Sequence, residues 1–212
     1  VEEGDTIQNL GTINITNDNN YWASILAGCN LNVDTLVLNF NITGHQWHFF
    51  GFPFQFKIAD IATSGKFVIY EYDGQARAQK DTTGWKKLPA SQEYLYPGHG
   101  YIFQFNFNGE GTFSIKLHKP NFCQLAEFIN LLIYPATKPN NQSWNYVSNP
   151  LLAYYDINDL NYTGPITVWD PATSNYRSLR AGDDEYFLSP YEAFFLQNEK
   201  VSDDFALFFN KD

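Results

Sequence analysis

The sequence predicts an all-β fold: a β-sandwich, jelly-roll-like, built from two pseudo-equivalent repeats. Three observations carry this expectation. Apolar residues come in blocks of four to eight that end at Gly, Pro, Asn or Asp, as short strands closed by turns do. Aromatic residues make up 18% of the chain, and their flat bodies pack well on pleated surfaces. The blocks also occur twice, in the same order.

In the first copy, Leu36–Phe40 reads as a strand. The block Trp47-His48-Phe49-Phe50-Gly51-Phe52-Pro53-Phe54 follows, then a strand over Phe67–Tyr72. Asp73-Gly74 is expected to open a turn, leading into Trp85-Lys86-Lys87-Leu88 and so forming a hairpin. Leu95-Tyr96-Pro97-Gly98-His99-Gly100 precedes a strand over Tyr101–Phe107. There Pro97 fixes φ, and the two glycines permit a tight bend. Phe113–His118 closes the copy.

The second copy repeats this order. Trp144-Asn145-Tyr146-Val147-Ser148-Asn149-Pro150-Leu151 matches the Trp47 block at an offset of 97, and Ile166–Asp170 matches Ile69–Asp73 at the same offset. Asp170-Pro171 opens the equivalent hairpin, which leads into Tyr176-Arg177-Ser178-Leu179. Leu188–Gln197 matches Leu95–Gln104 at an offset of 93, with Ala193 in place of Gly100, and Phe205–Asn210 matches Phe113–His118 at 92. Insertions and deletions therefore fall in loops. The copies run roughly from Leu36 to His118 and from Leu131 to Asn210. The expected division is 1–118, N-terminal leader strands plus the first repeat, and 119–212, the second repeat packed against it. Phe122 to Tyr134 has helical spacing at Leu125, Phe128 and Leu132, but the repeat argues for a short turn and then a strand over Leu131–Tyr134. The period is too long for a propeller, whose blades repeat at roughly 40–50 residues.

Composition narrows the function. The net charge of −10 argues against nucleic acid as a partner, which needs a basic face, and against anionic lipid. No apolar run approaches the roughly 18–20 residues of a membrane span. The chain starts at Val1 and contains no Met, so a processed or excised piece of a longer product is expected, and the absence of an export signal from it is no sign of a cytosolic home. Cys29 and Cys123 precede the two copies at similar places; free buried thiols and one disulfide both remain open.

With these blocks in view, the chain resembles a non-repeat module of the BspA-like leucine-rich-repeat surface proteins of Bacteroides-type gut bacteria. The resemblance rests on Trp47–Phe54, Tyr72–Ala78 and Pro97–Ile102 in the first copy, and on Trp144–Pro150 and Gly182–Phe195 in the second. It covers about residues 36 to 210. It implies export to the cell surface or secretion, beside other domains of the same polypeptide that carry the leucine-rich repeats, which this chain lacks.

No motif points to catalysis. There is no Gly-x-Ser-x-Gly elbow. His45 and His48 would lie on opposite faces of a strand, so no metal is expected there. Asp183-Asp184-Glu185 lacks the spacing of a calcium loop and reads as a solvated turn. No cofactor is implied. The candidate ligand-binding residues are Trp22, in an Asn-rich stretch, and Trp85 and Tyr176, at equivalent hairpin positions, with Arg177 beside the latter. Trp47, Trp144 and Trp169 are expected in the core, since each lies inside an apolar block. The expected function is a non-catalytic structural or adhesion module, with a host or dietary glycan or a protein as ligand. The alternatives are a carbohydrate-binding module and, further off, a fragment of a carbohydrate-active enzyme.

Overall fold

The computed structural model describes residues 6–17, 30–80, 83–119, 128–136, 138–170, 172–183, 185–198 and 205–209. The first copy contains β1 (Thr6–Asn17), β2 (Asn30–Thr43), β3 (Trp47–Gly51), β4 (Phe56–Lys57), β5 (Ile61–Thr63), β6 (Lys66–Tyr72), α1 (Gly74–Lys80), β7 (Trp85–Lys87), β8 (Tyr94–Leu95), β9 (Gly100–Asn106) and β10 (Glu110–His118). The second contains β11 (Phe128–Leu131), β12 (Trp144–Ser148), β13 (Tyr155–Asp156), β14 (Pro165–Asp170), β15 (Asn175–Arg180), β16 (Phe187–Leu188), β17 (Ala193–Gln197) and β18 (Phe205–Phe208).

The fold is all-β and sandwich-like, and the duplication is visible in its topology. The central sheet of the first copy has the order β3-β9-β6-β7, and that of the second β12-β17-β14-β15. These are the same strands in the same order. The small ladders β4-β8 and β13-β16 correspond too, as do the pairs β2-β10 and β11-β18. The first copy adds β1, the leader strand, which pairs parallel with β2, and β5, which pairs with β10.

Alternation along each strand places the cores. In β9, Tyr101, Phe103 and Phe105 point to one side, against Phe40, Leu38 and Phe113 of the outer sheet. Rings dominate this core: Phe40, Phe50, Phe52, Phe103, Phe105 and Phe113 meet at centroid distances of 5.2–6.5 Å. Such pairs contribute about 0.5–1.5 kcal/mol each beyond their area burial. The second core is more aliphatic, with Leu131, Ile157, Ile166, Val168, Leu179, Leu188 and Leu196 around Phe194. Leu152 and Tyr191 of the second copy enter the first copy's core.

The structure corrects two expectations. Asp73-Gly74 opens a helix, α1, before the hairpin returns through β7. The Asp73 carboxylate accepts the Ala76 N–H at 2.7 Å, capping a run of good helix formers, Gln75-Ala76-Arg77-Ala78-Gln79. The strand expected over Leu131–Tyr134 instead ends at Leu131. The Asn145 side chain takes over there, accepting the Leu132 N–H at 2.8 Å and donating to the Leu132 carbonyl at 3.0 Å, so no strand partner is needed.

Candidate functional site

The two central sheets meet face to face at their ends. One row across the first sheet is Gly51, Gly100, Tyr72 and Trp85; the matching row of the second is Ser148, Ala193, Trp169 and Tyr176. A Cβ built on Gly51 would lie 1.7 Å from the Ser148 Cβ, and one on Gly100 would lie 3.1 Å from the Ala193 Cβ. Small residues let the backbones close there. The Gly51 N–H donates to the Tyr191 carbonyl at 2.8 Å, and the Ser148 N–H donates to the Gly98 carbonyl at 3.1 Å. Gly51 corresponds to Ser148 and Gly98 to Tyr191, so the bonds are reciprocal, as an approximate two-fold between the copies requires.

The other end of the row is filled by rings. Trp85 meets Tyr72 at 5.2 Å, Tyr146 at 5.0 Å and Phe195 at 5.8 Å. Its counterpart Tyr176 meets Trp169 at 5.1 Å, Phe49 at 6.1 Å and Phe195 at 5.8 Å. Phe49 and Trp169 stack at 4.7 Å. Burial raises the phenol pKa of Tyr176 and pushes that of Tyr72 up to about 12.

This packing sorts the sequence candidates. Trp85 and Tyr176 are brought together, but Trp85 is a half-buried interface wedge and not a free platform. Tyr176 remains 42% exposed. Arg177 points to the opposite face of β15, where its guanidinium lies 5.7 Å from the Tyr186 ring centroid. Tyr186 donates to the Glu192 carboxylate at 2.6 Å, which also accepts the Ser189 N–H at 2.8 Å; burial raises the pKa of both side chains. Trp22, Cys29, Cys123 and Asp184 lie outside the described residues. Among those described, no group of three or more His, Cys, Asp and Glu is placed to hold a metal ion. His45 precedes β3, in a left-handed backbone conformation with φ 59°. The His48 ring nitrogen Nε2 lies 2.7 Å from the Thr43 carbonyl, and burial lowers its pKa.

The expectation that Trp47 belongs to the core is corrected: it is 44% exposed. Trp144 and Trp169 are half-buried between the copies. Trp47 sits two rows beyond Gly51, past the overlap of the sheets. Its counterpart Trp144 sits on β12, against which α1 is laid; a Cβ on Gly74 would lie 2.3 Å from the Trp144 carbonyl oxygen. The equivalent hairpin of the second copy has no helix. It turns tightly between the paired residues Asp170 and Asn175, so among the described residues no equivalent helix lies against β3. Trp47 meets Tyr70 edge to face at 5.6 Å. An aromatic shelf results, running from Tyr70 and Trp47 through Phe49 to Trp169 and Tyr176. Alternation alone gave no sign of Trp47's exposure, because the inner face of a two-sided strand and the face beyond a domain overlap read alike.

No family model matches the chain, and no curated protein or solved structure matches it either. No helix among the described residues is long and apolar enough to cross a membrane.

Proposed function

We propose that the chain is a non-catalytic adhesion module of a larger exported surface protein, and that it binds carbohydrate on the shelf formed by Trp47, Tyr70 and Tyr176. The supporting observation is an aromatic run whose two ends, Trp47 and Tyr176, stand exposed while Tyr70, Phe49 and Trp169 between them are half-buried, on the sheet where the pseudo-symmetric helix is missing. A sugar ring offers a CH-rich face that stacks on such rings, and its hydroxyls take hydrogen bonds at the rim. Contiguous exposed rings edged by polar groups are what a ligand-binding surface needs. Gln104, in the strand between Trp47 and Val68, supplies one such group. The expected surface location follows from the resemblance of the sequence blocks.

The test is a glycan-array screen of the chain, followed by calorimetric titration of any hit. Trp47→Ala and Tyr176→Ala should each weaken binding at least ten-fold while leaving the bound sugar at its original length after prolonged incubation. An array blank for the wild type removes the carbohydrate reading and leaves a purely structural module. Shortening of the bound oligosaccharide would show that the module is an enzyme.

A further inference from the structure

The open face beyond the sheet overlap carries a charge pattern unlike that of the chain. The protein has 23 acidic and 13 basic side chains. On this face the rows read Phe49, Ile102, Tyr70 and Lys87, then Trp47, Gln104 and Val68, then Asn106 and Lys66. Strand alternation puts all of these on one side. Both lysines are exposed, and neither takes part in an ion pair among the described residues. The single carboxylate in β3, β6, β7 and β9 is Glu71, which alternation puts on the opposite side with Lys86. Lys86 itself is paired with Asp73. Asp170, in the neighbouring hairpin, directs a carboxylate oxygen at the N–H groups of Ala172 and Thr173.

Lys66 and Lys87 are one strand and two rows apart, a span of about 15 Å from strand geometry. That is the reach of a short oligosaccharide; Val68 lies in the row between them and Tyr70 directly beside Lys87. We infer that the shelf takes an anionic oligosaccharide, one bearing uronate carboxylates, whose rings stack on Trp47 and Tyr70 while the carboxylates meet Lys66 and Lys87. This inference rests on the carbohydrate reading above and adds the ligand's charge to it. Two cations outside any ion pair among the described residues favour an acidic ligand on this face, against the net negative charge of the molecule.

The experiment titrates the full chain with galacturonate and hyaluronan oligomers, each beside its carboxyl-methylated form, and with a glutamate oligomer. The expected result is binding of at least one acidic saccharide, at least ten-fold weaker binding of its neutral form, and loss of affinity with added salt. Lys66→Gln with Lys87→Gln should bring the acidic form down to the neutral one, the fold being checked by circular dichroism. Equal binding of both forms overturns this inference and leaves the carbohydrate reading standing. No binding of any saccharide overturns both. Binding of the glutamate oligomer as tight as that of the uronates shows a site for acidic peptide and overturns it as well.

Discussion

Gly51 and Ser148 are equivalent residues of the two copies, and their backbones approach so closely that a Cβ on Gly51 would lie 1.7 Å from that of Ser148. The contact stands where the reciprocal hydrogen bonds cross. It is the pivot on which the two central sheets are joined. Neither Cβ can move without moving backbone, so the approach depends on the absence of a side chain at residue 51.

Gly51→Val should therefore destabilise the fold by about 3 kcal/mol or more, as overpacking of a closed contact does. Urea denaturation followed by circular dichroism would read this as a lower midpoint. Gly109→Asn serves as the control. Gly109 has open space around its Cβ position and φ +73°, a conformation Asn tolerates, so its midpoint should hardly move. A midpoint for Gly51→Val equal to the control would show that the copies do not meet as described.

Tyr191 joins the copies from the other side. It holds φ 66°, which is unfavourable for a residue with a Cβ, where the first copy has Gly98 at φ 76°. Its ring lies fully buried in the first copy's core, 5.2 Å from Phe40. The burial offsets the backbone cost. Tyr191→Ala should lose about 3–5 kcal/mol, the cost of truncating a large buried ring. Tyr191→Gly should recover only a few tenths of that through relief at φ. Chemical denaturation of both variants would check the order; a Gly variant as stable as the wild type would show that the ring contributes nothing.

The helix that covers one copy and not the other can be exchanged. Grafting residues 74–84 between Asp170 and Asn175 should shield Trp47. Replacing the same segment by the four-residue turn 171–174 should uncover Trp144. Acrylamide quenching of tryptophan emission should show reduced accessibility in the graft and increased accessibility in the deletion. The graft should also abolish sugar binding. Unchanged quenching in both would mean that the missing helix does not explain Trp47's exposure.

Much of this fold is legible in the sequence. The Trp-to-Pro blocks and the Tyr-Asp and Trp-Asp hairpins mark the same strands in both copies, and they place Trp85 and Tyr176 at equivalent positions. The helix α1 is not legible. Asp73-Gly74 reads as a turn, and Gln75-Ala76-Arg77-Ala78-Gln79 has no apolar stripe to set against it. The exposure of Trp47 is hidden for a different reason. A strand buried on both sides has the same composition whether its second face meets a domain or runs beyond one, and the decision lies in the length of a hairpin more than a hundred residues away. Tyr176 is found because it is polar enough to read as a surface aromatic; Trp85 reads the same way and is half-buried because Tyr146 and Phe195 of the other copy pack against it.

Stability should fall steeply at alkaline pH. Burial pushes the phenols of Tyr72 and Tyr101 up to about 12 and raises those of Tyr146 and Tyr191 as well. In the unfolded chain each ionises near 10. Between these values the folded state holds more protons than the unfolded one, so unfolding becomes easier as pH rises. The contribution is fully present below pH 10 and is lost as pH rises through 12; for the buried Tyr101 it is on the order of 2 kcal/mol. Tyr101→Phe should flatten part of this slope without affecting acid behaviour. The acid side has the opposite origin. Burial lowers the pKa of His48 and His99, so the unfolded state takes up protons first and stability falls as pH drops below about 6.5. Thermal melts from pH 4 to 12 would show a plateau between these limits. A melting temperature level from pH 9 to 12 would show that these phenols are open to water, and that the aromatic seam between the copies is not closed.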